Sequence, residues 1–121
     1  MNGFEKHLEG SLYHYKARVT GAYDGDTITV DLDLGLGVWK IGEKIRLSGL
    51  NAPEIRGPQR PQGLISRDWL RERVVGKVII IHTEKDKTGK YGRLIGTVYL
   101  DGENINELMI SLGMAERREY R

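Results

Sequence analysis

Apolar and polar residues alternate along several short segments of the chain, and this pattern predicts β-strands. The clearest case is Asp26–Leu34, where one face is apolar and carries Ile28, Val30, Leu32 and Leu34. A repeat of two residues is the period of a half-buried strand. Ala17–Tyr23 precedes this segment across the turn dipeptide Asp24-Gly25, so we predict that it is the partner strand.

Three later segments complete the predicted sheet. Val38–Ser48 places Ile45 and Leu47 on one side and polar residues on the other. Val78–Ile81 is an unbroken β-branched run, which predicts a strand that is buried on both faces. Leu94–Leu100 is the last predicted strand, and it ends at a turn dipeptide.

Two segments repeat with the period of a helix instead. Gly63–Val75 carries one apolar stripe, formed by Ile65, Trp69, Leu70 and Val74. Apolar residues recur at i, i+3, i+4 and i+7 from Ile105 to Leu112, and Gly113 is expected to end that helix. Three strands, a helix, two strands and a helix favour a mainly β fold of the α+β class, a five-stranded OB-fold Greek-key barrel.

Length and composition suit a fold of that size. The chain has 121 residues, 39% of them hydrophobic, so we expect one domain over residues 1–121, with 1–15 as a candidate flexible extension. The absence of cysteine excludes disulfides and thiolate–zinc sites. No apolar run approaches the roughly 20 residues of a membrane span, so we expect no membrane partner. The N-terminus has no apolar signal-peptide core, which predicts a cytoplasmic chain, or a secreted one if a leader has been removed.

Charge is distributed unevenly along the chain, although the net charge is only +2. Between Arg56 and Arg93 there are ten Lys/Arg and four Asp/Glu, whereas the remainder holds nine and thirteen. Such an asymmetry suits a surface that attracts phosphate. An ordinary solvated helix face would produce the same counts, so charge alone leaves both interpretations open.

Three motifs hold polar residues that strand patterning does not explain. They are DGDT from Asp24, RLSGLNAPE from Arg46 and KYGR from Lys90. In this order and at these spacings, from about Ala17 to Ala115, they resemble the staphylococcal nuclease (thermonuclease) family. The resemblance implies an OB-fold barrel that cleaves nucleic acids with the help of calcium. It also implies a third, C-terminal helix, which would be truncated in a chain ending at Arg121.

Asp26, Asn51 and Ala52 are the candidate metal ligands. A carboxylate at the opening of a strand can meet a hard cation, although lone Asp-Gly sequences more often only cap a turn. The resemblance implies that calcium binds the Asp26 carboxylate, the Asn51 side chain and the Ala52 carbonyl. The family usually has aspartate at the position of Asn51, so one negative charge is missing and calcium should bind more weakly.

Arg46, Glu54 and Arg93 are the candidate catalytic residues. Guanidinium groups suit the charge that spreads over non-bridging oxygens during phosphoryl transfer. The resemblance implies that both arginines contact the phosphate and that Glu54 orients or deprotonates the attacking water. It also implies substrate binding by Lys90 and Tyr91, although a tyrosine at this place could equally pack on the barrel rim.

We therefore expect a monomeric, calcium-dependent endonuclease that cleaves single-stranded DNA and RNA and leaves 3′-phosphates. The alternative is a catalytically silent OB-fold module that binds nucleic acid or serves as a scaffold. The segment from Arg56 to Pro61 resembles the family's mobile loop beside the active site; it would guide single-stranded substrate or form a solvated linker into the helix.

Overall fold

The computed structural model describes residues 2–85 and 94–118 of the chain. Its long strands are β1 (His14–Asp24), β2 (Thr27–Gly35), β3 (Val38–Leu47), β5 (Val78–Lys85) and β6 (Leu94–Leu100). Short strands are β4 (Leu50–Asn51), β7 (Glu103–Asn104) and β8 (Glu116–Arg117). The helices are α1 (Gly3–Gly10), α2 (Arg60–Val74) and α3 (Ile105–Ser111), with a 3₁₀ turn at Gly57–Gln59 before α2.

The five long strands close into a barrel. They follow the order β3-β2-β1-β5-β6, with antiparallel pairs throughout, and β6 then pairs with β3 in parallel. The closing pair is short and joins Ile45 to Leu94 at one end and Leu47 to Gly96 at the other. This closed five-stranded barrel with added helices confirms the predicted α+β OB-fold.

Alternation along the strands fills the barrel as the sequence predicts. Ile28, Val30 and Leu32 of β2 are fully buried or nearly so, and Ile45 and Leu47 of β3 face them from the neighbouring strand. Leu34, at the end of the same alternating run, is exposed because β2 has reached the hairpin at that point. The helices α2 and α3 contribute to the same buried core through Leu70, Val74, Ile105 and Met109.

Two predictions about burial are wrong. In β5, Ile79 and Ile81 are buried, but Val78 and Ile80 point outward and are exposed, so the strand is buried on one face only. Ile65 of α2 is also exposed, whereas the buried positions of that helix are Gly63, Ser66, Leu70 and Val74. The helix begins at Arg60, earlier than predicted, and its buried stripe includes small and polar residues that an apolar pattern cannot reveal.

The N-terminal segment is helical over α1, where a flexible extension was a candidate. Asn2 caps this helix, because its side chain accepts a hydrogen bond from the Glu5 N–H. No residue of α1 is buried. Among the residues that the structure describes, no helix is both long and apolar enough to cross a membrane.

Buried polar side chains tie the helices to the barrel. Asn106 of α3 accepts from the Val98 N–H and donates to the carbonyls of Ser48 and Gly96. Ser66 of α2 donates to the Met114 carbonyl at 2.6 Å. Because a buried amide or hydroxyl is costly unless it is hydrogen-bonded, these satisfied groups fix where each helix sits. Through the bond from Asn106 to Ser48, α3 also holds the turn between β3 and β4, which leads to Asn51.

Candidate functional site

The turn between β1 and β2 presents Asp26 at the rim of the barrel. Asp24 shapes this turn, since its Oδ1 accepts a hydrogen bond from the Asp26 N–H at 3.0 Å. Gly25 is buried, and a Cβ there would lie 2.7 Å from the Cβ of Ala52 and 2.9 Å from that of Ser66. Glycine is therefore required for close approach. The tight packing holds Asp26 against the segment that carries Asn51.

The carboxylate of Asp26 is buried and its two oxygens have unequal surroundings. Oδ2 lies 2.9 Å from Nη1 of Arg46 and accepts a hydrogen bond from the Ala52 N–H at 3.0 Å. Oδ1 contacts the Thr27 hydroxyl at 3.4 Å, which is a weak interaction. The two short contacts of this carboxylate are therefore both made by Oδ2.

Burial raises the pKa of Asp26 to about 6, from an ordinary value of 3.8. The hydrogen bond with the side chain of Asp24 and the charge of that residue contribute to the same rise. Arg46 and the Ala52 N–H act in the opposite direction and favour the ionised form. The rim thus holds a pair of acidic side chains whose negative charge is only partly offset, which is a setting that favours a proton or a cation.

Arg46 lies between two of the predicted metal ligands. It stands near the end of β3, where it pairs with Thr27 of β2, and its side chain is mostly buried. Nη1 approaches Asp26, while Nη2 donates to Oδ1 of Asn51 at 3.3 Å. Asp26, Arg46, Asn51 and Ala52 therefore form one connected group, as expected of residues that share a site.

Asn51 and Ala52 are held in place by the C-terminal part of the described chain. β4 pairs with β8, so that Asn51 lies opposite Glu116. Arg118 donates its N–H to the Gly49 carbonyl at 2.8 Å, which extends this pairing by one residue. Because β4 has only two residues, its position depends on these contacts and on its link to Asp26.

Glu54 differs from the other candidates because its side chain is exposed. None of the described residues donates a hydrogen bond to its carboxylate. Its main chain, by contrast, is fixed, since the Glu54 N–H donates to Oε1 of Gln59 at 3.2 Å. The segment from Arg56 to Pro61, which resembles the family's mobile loop, forms a 3₁₀ turn that runs directly into α2. Its Gln59 contacts Glu54.

Lys90, Tyr91 and Arg93 lie outside the described residues, and their roles stay predictions. Sequence reasoning missed three residues that support the site, namely Gln59, Gly63 and Ser66. Their signal was weak, because a glutamine before a helix and small residues within it are ordinary features. The early proline at position 61 was a usable sign that α2 starts before Gly63.

The donor chemistry at the rim fits a hard divalent cation. Within residues 2–85 and 94–118, no group of three or more His, Asp or Glu is arranged to hold a metal ion. The candidate donors are instead a carboxylate, an amide oxygen and a main-chain carbonyl, from Asp26, Asn51 and Ala52. Oxygens of these kinds are the ligands that calcium takes in proteins. The raised pKa of the Asp26 carboxyl group, which lies beside the second acidic side chain of Asp24, is consistent with this.

Comparison with protein families agrees with this geometry. The model for staphylococcal nuclease homologues matches residues 44–121, which include Arg46, Asn51 and Glu54. The chain belongs to the staphylococcal nuclease homologue family. In this family member, Asp26 lies before the matched region, and its contacts with Arg46 and Ala52 bring it to the same rim.

Three relatives illustrate the similarity. A thermonuclease from Staphylococcus hyicus is 28% identical over 107 residues, which are 86% of this chain and 60% of that protein. An endonuclease from Bacillus subtilis is 32% identical over 78% of this chain and 44% of its own length. A staphylococcal-like nuclease from Arabidopsis thaliana is 35% identical over 60% of this chain and 21% of its own length. This chain thus spans 60% of the length of the first relative and less of the other two.

Proposed function

We propose that this staphylococcal nuclease homologue is a calcium-dependent endonuclease. It hydrolyses phosphodiester bonds of single-stranded DNA and RNA and leaves 3′-phosphates. The observation that carries the proposal is the placement of Arg46 between Asp26 and Asn51. The exposed Glu54 follows Asn51 closely in the chain, after Ala52 and Pro53. Relatives named thermonuclease and endonuclease support it.

Arg46 is suited to bind the phosphate. Its guanidinium is oriented by Asp26 and Asn51 before any substrate arrives, so little reorganisation is needed when charge develops on the phosphoryl oxygens. Arg93 is proposed to contact the same group from the KYGR motif. Two arginines would stabilise the crowded negative charge of the transition state better than one.

Glu54 is suited to act as the general base. Its carboxylate is exposed and accepts no hydrogen bond from the described residues, so it can accept a proton from a water molecule. The oxygen of that water then attacks phosphorus, and the bond from phosphorus to the 5′ oxygen breaks. The 5′ oxygen leaves and takes a proton from solvent water, and the phosphate remains on the 3′ side. Lys90 and Tyr91 are proposed to hold the neighbouring phosphate and sugar.

Asp26, Asn51 and the Ala52 carbonyl would hold calcium. When bound, the ion supplies positive charge that polarises the scissile phosphate. Asn51 contributes an amide oxygen without charge, and Arg46 adds a positive charge beside the ligands. Both features weaken the attraction for a cation. Because asparagine lacks the negative charge of aspartate, we expect a lower calcium affinity than an aspartate at position 51 would give.

The test is digestion of a labelled single-stranded oligonucleotide across a calcium titration. We expect cleavage that requires calcium, stops with chelator and yields 3′-phosphate ends. The matched variant is Glu54→Gln, which keeps size and removes the base. Turnover that is unchanged by chelator would refute the metal dependence, and products with 5′-phosphate ends would refute the assigned bond cleavage.

A second candidate is a catalytically silent OB-fold module that binds nucleic acid. The observation that favours it is the occupation of Asp26 Oδ2 by both Arg46 and Ala52, together with an amide in place of a second acidic ligand. In that case, the labelled oligonucleotide would bind, but turnover would stay at background at every calcium concentration. Binding measured by fluorescence anisotropy beside the digestion separates the two functions.

A further inference from the structure

The first turns of α2 pack directly on the main chain of Glu54. A Cβ built on Gly63 would lie 2.2 Å from the Glu54 carbonyl oxygen and 2.6 Å from its carbonyl carbon. It would also lie 2.9 Å from the Pro53 carbonyl oxygen. These are backbone atoms, which cannot swing aside as the end of a long side chain can. Glycine is therefore the residue that permits this contact.

Two hydrogen bonds hold the same segment to the entry of α2. Oε1 of Gln59 accepts from the Glu54 N–H at 3.2 Å, and Nη1 of Arg60 donates to the Ile55 carbonyl at 2.8 Å. Glu54 lies in a connection without regular structure, where main-chain groups have no strand partner. Side chains from the helix entry therefore supply the partners that a sheet would otherwise supply.

The same face of α2 also contacts the turn before Asp26. Ser66 follows Gly63 by three residues, so the two lie on one face of the helix. The Cβ of Ser66 is 2.9 Å from the position that a Cβ on Gly25 would occupy. The contacts with small residues let both segments approach the helix, which sets their separation. α2 thus supports both parts of the proposed site: the turn that carries Asp26, which we call the metal side, and the segment that carries Glu54, which we call the base side.

We propose that Gln59 and Gly63 are positioning residues that fix the main chain of Glu54 in its working place. This inference rests on the proposed function, in which Glu54 is the general base. The side chain of Glu54 stays exposed, while its N–H is hydrogen-bonded by Gln59 and its carbonyl packs closely against Gly63. A carboxylate on a long, exposed side chain is placed accurately only if its Cα is fixed.

Gly63→Ala tests the close contact. Alanine favours helix more than glycine does, so the helix itself should not suffer, but the added Cβ must push the Glu54 carbonyl away. We expect kcat to fall about 100-fold, with KM changed by less than about 3-fold, because a displacement near 1 Å is enough for such a loss. Gly21→Ala is the matched control, since a Cβ on Gly21 meets nothing within 4 Å and kcat should be unchanged.

Gln59 is tested by two substitutions of similar size. Gln59→Leu removes the acceptor, and we expect kcat to fall about 10-fold, which is the effect of losing one hydrogen bond of ordinary strength. Gln59→Glu keeps an acceptor for the Glu54 N–H and should restore kcat to within about 3-fold of the wild type. Hydrogen exchange of the Glu54 amide should be faster in Gln59→Leu and slow in the wild type and in Gln59→Glu. That readout reports the contact without reference to turnover.

The outcomes separate this inference from the proposed function. No turnover in the wild type would refute the function, and with it the catalytic role given to the contacts. Turnover in the wild type that is the same in Gly63→Ala, Gln59→Leu and the control would refute the positioning role alone. Equal losses in Gln59→Leu and Gln59→Glu would refute it as well. If Gly63→Ala does not fold, as judged by circular dichroism, the two Gln59 variants decide the question.

Discussion

Asp26 and Glu54 are the two acidic residues on which the proposed chemistry depends, and the fold holds them in opposite ways. Asp26 is buried and its carboxylate is fixed by Arg46, the Ala52 N–H and Thr27. Glu54 is exposed, and the fold holds its backbone while leaving its carboxylate to solvent. The fold thus fixes a side chain on the metal side and a main chain on the base side.

This difference follows from what each carboxylate must do. A metal ligand needs a fixed position, and burial supplies this at the expense of a pKa raised to about 6. A general base must meet water and exchange a proton, so its carboxylate cannot be buried behind hydrogen-bond donors. The metal side therefore couples function to stability, whereas the base side should not. The predictions below test that difference, beginning with the largest expected effect.

Glu54→Gln should separate activity from stability most strongly. Loss of the general base should lower kcat about 1,000-fold, which is within the usual range for such groups. The free energy of unfolding should change by less than about 0.5 kcal/mol, because an exposed side chain that accepts no hydrogen bond from the described residues contributes little. Single-turnover digestion and urea denaturation measure the two quantities. A large loss of stability would contradict the contrast drawn between the two residues.

Arg46→Met should affect both activity and stability. It leaves the buried Asp26 carboxylate without its ion-pair partner, so we expect a loss of about 3 kcal/mol in the free energy of unfolding at pH 8. The loss should shrink near pH 5, where the carboxyl group of Asp26 holds a proton. The double variant Asp26→Asn/Arg46→Met is the control, because it removes the charge as well. If the double variant is no more stable than Arg46→Met at pH 8, the ion pair is not what holds this rim.

The sequence predicts the barrel well because its strands have one buried face. The alternation of apolar and polar residues along β2 and β3 indicates which face is buried, and Ile28, Ile45 and Leu47 are buried as expected. The prediction from the sequence fails where burial depends on what covers the other face of a strand. Nothing in the run Val78–Ile81 shows that the outer side of β5 meets solvent, since β-branched residues suit strands of both kinds.

For the site, the motifs predicted which residues share the rim but not how they are supported. Asp26, Arg46, Asn51 and Ala52 are in contact, and their spacing in the sequence gave the prediction through the family resemblance. The supporting contacts made by Gln59 and Gly63 depend on where α2 starts. A sequence predicts a helix boundary only to within a few residues. Here α2 begins at Arg60 instead of Gly63, and this difference decides which residues meet Glu54.

Asp26→Asn should change how stability depends on pH in the calcium-free protein. The pKa of Asp26 is about 6 in the folded chain and near 3.8 when unfolded, so between those values the folded state holds a proton that the unfolded state has released. Raising the pH from 4 to 7 therefore lowers the free energy of unfolding of the wild type by at most about 3 kcal/mol. The variant lacks this titration and should gain stability relative to the wild type over that range. Urea denaturation with chelator at each pH unit checks this, and parallel pH profiles would show that Asp26 is not perturbed.

Asn51→Asp should have the smallest effect and acts on calcium directly. It restores a negative charge beside Asp26, so we expect calcium to bind about 10-fold more tightly and activity to rise at low calcium. The new carboxylate can still accept the hydrogen bond from Nη2 of Arg46, so the connection to the rest of the rim should survive. A calcium titration of cleavage, with calorimetry for binding, measures the shift. The exposed Glu116, which lies opposite Asn51 across the β4–β8 pair, provides a control as Glu116→Gln. An unchanged midpoint in Asn51→Asp would mean that residue 51 is not a ligand, and the proposed metal site would then consist of Asp26 and the Ala52 carbonyl.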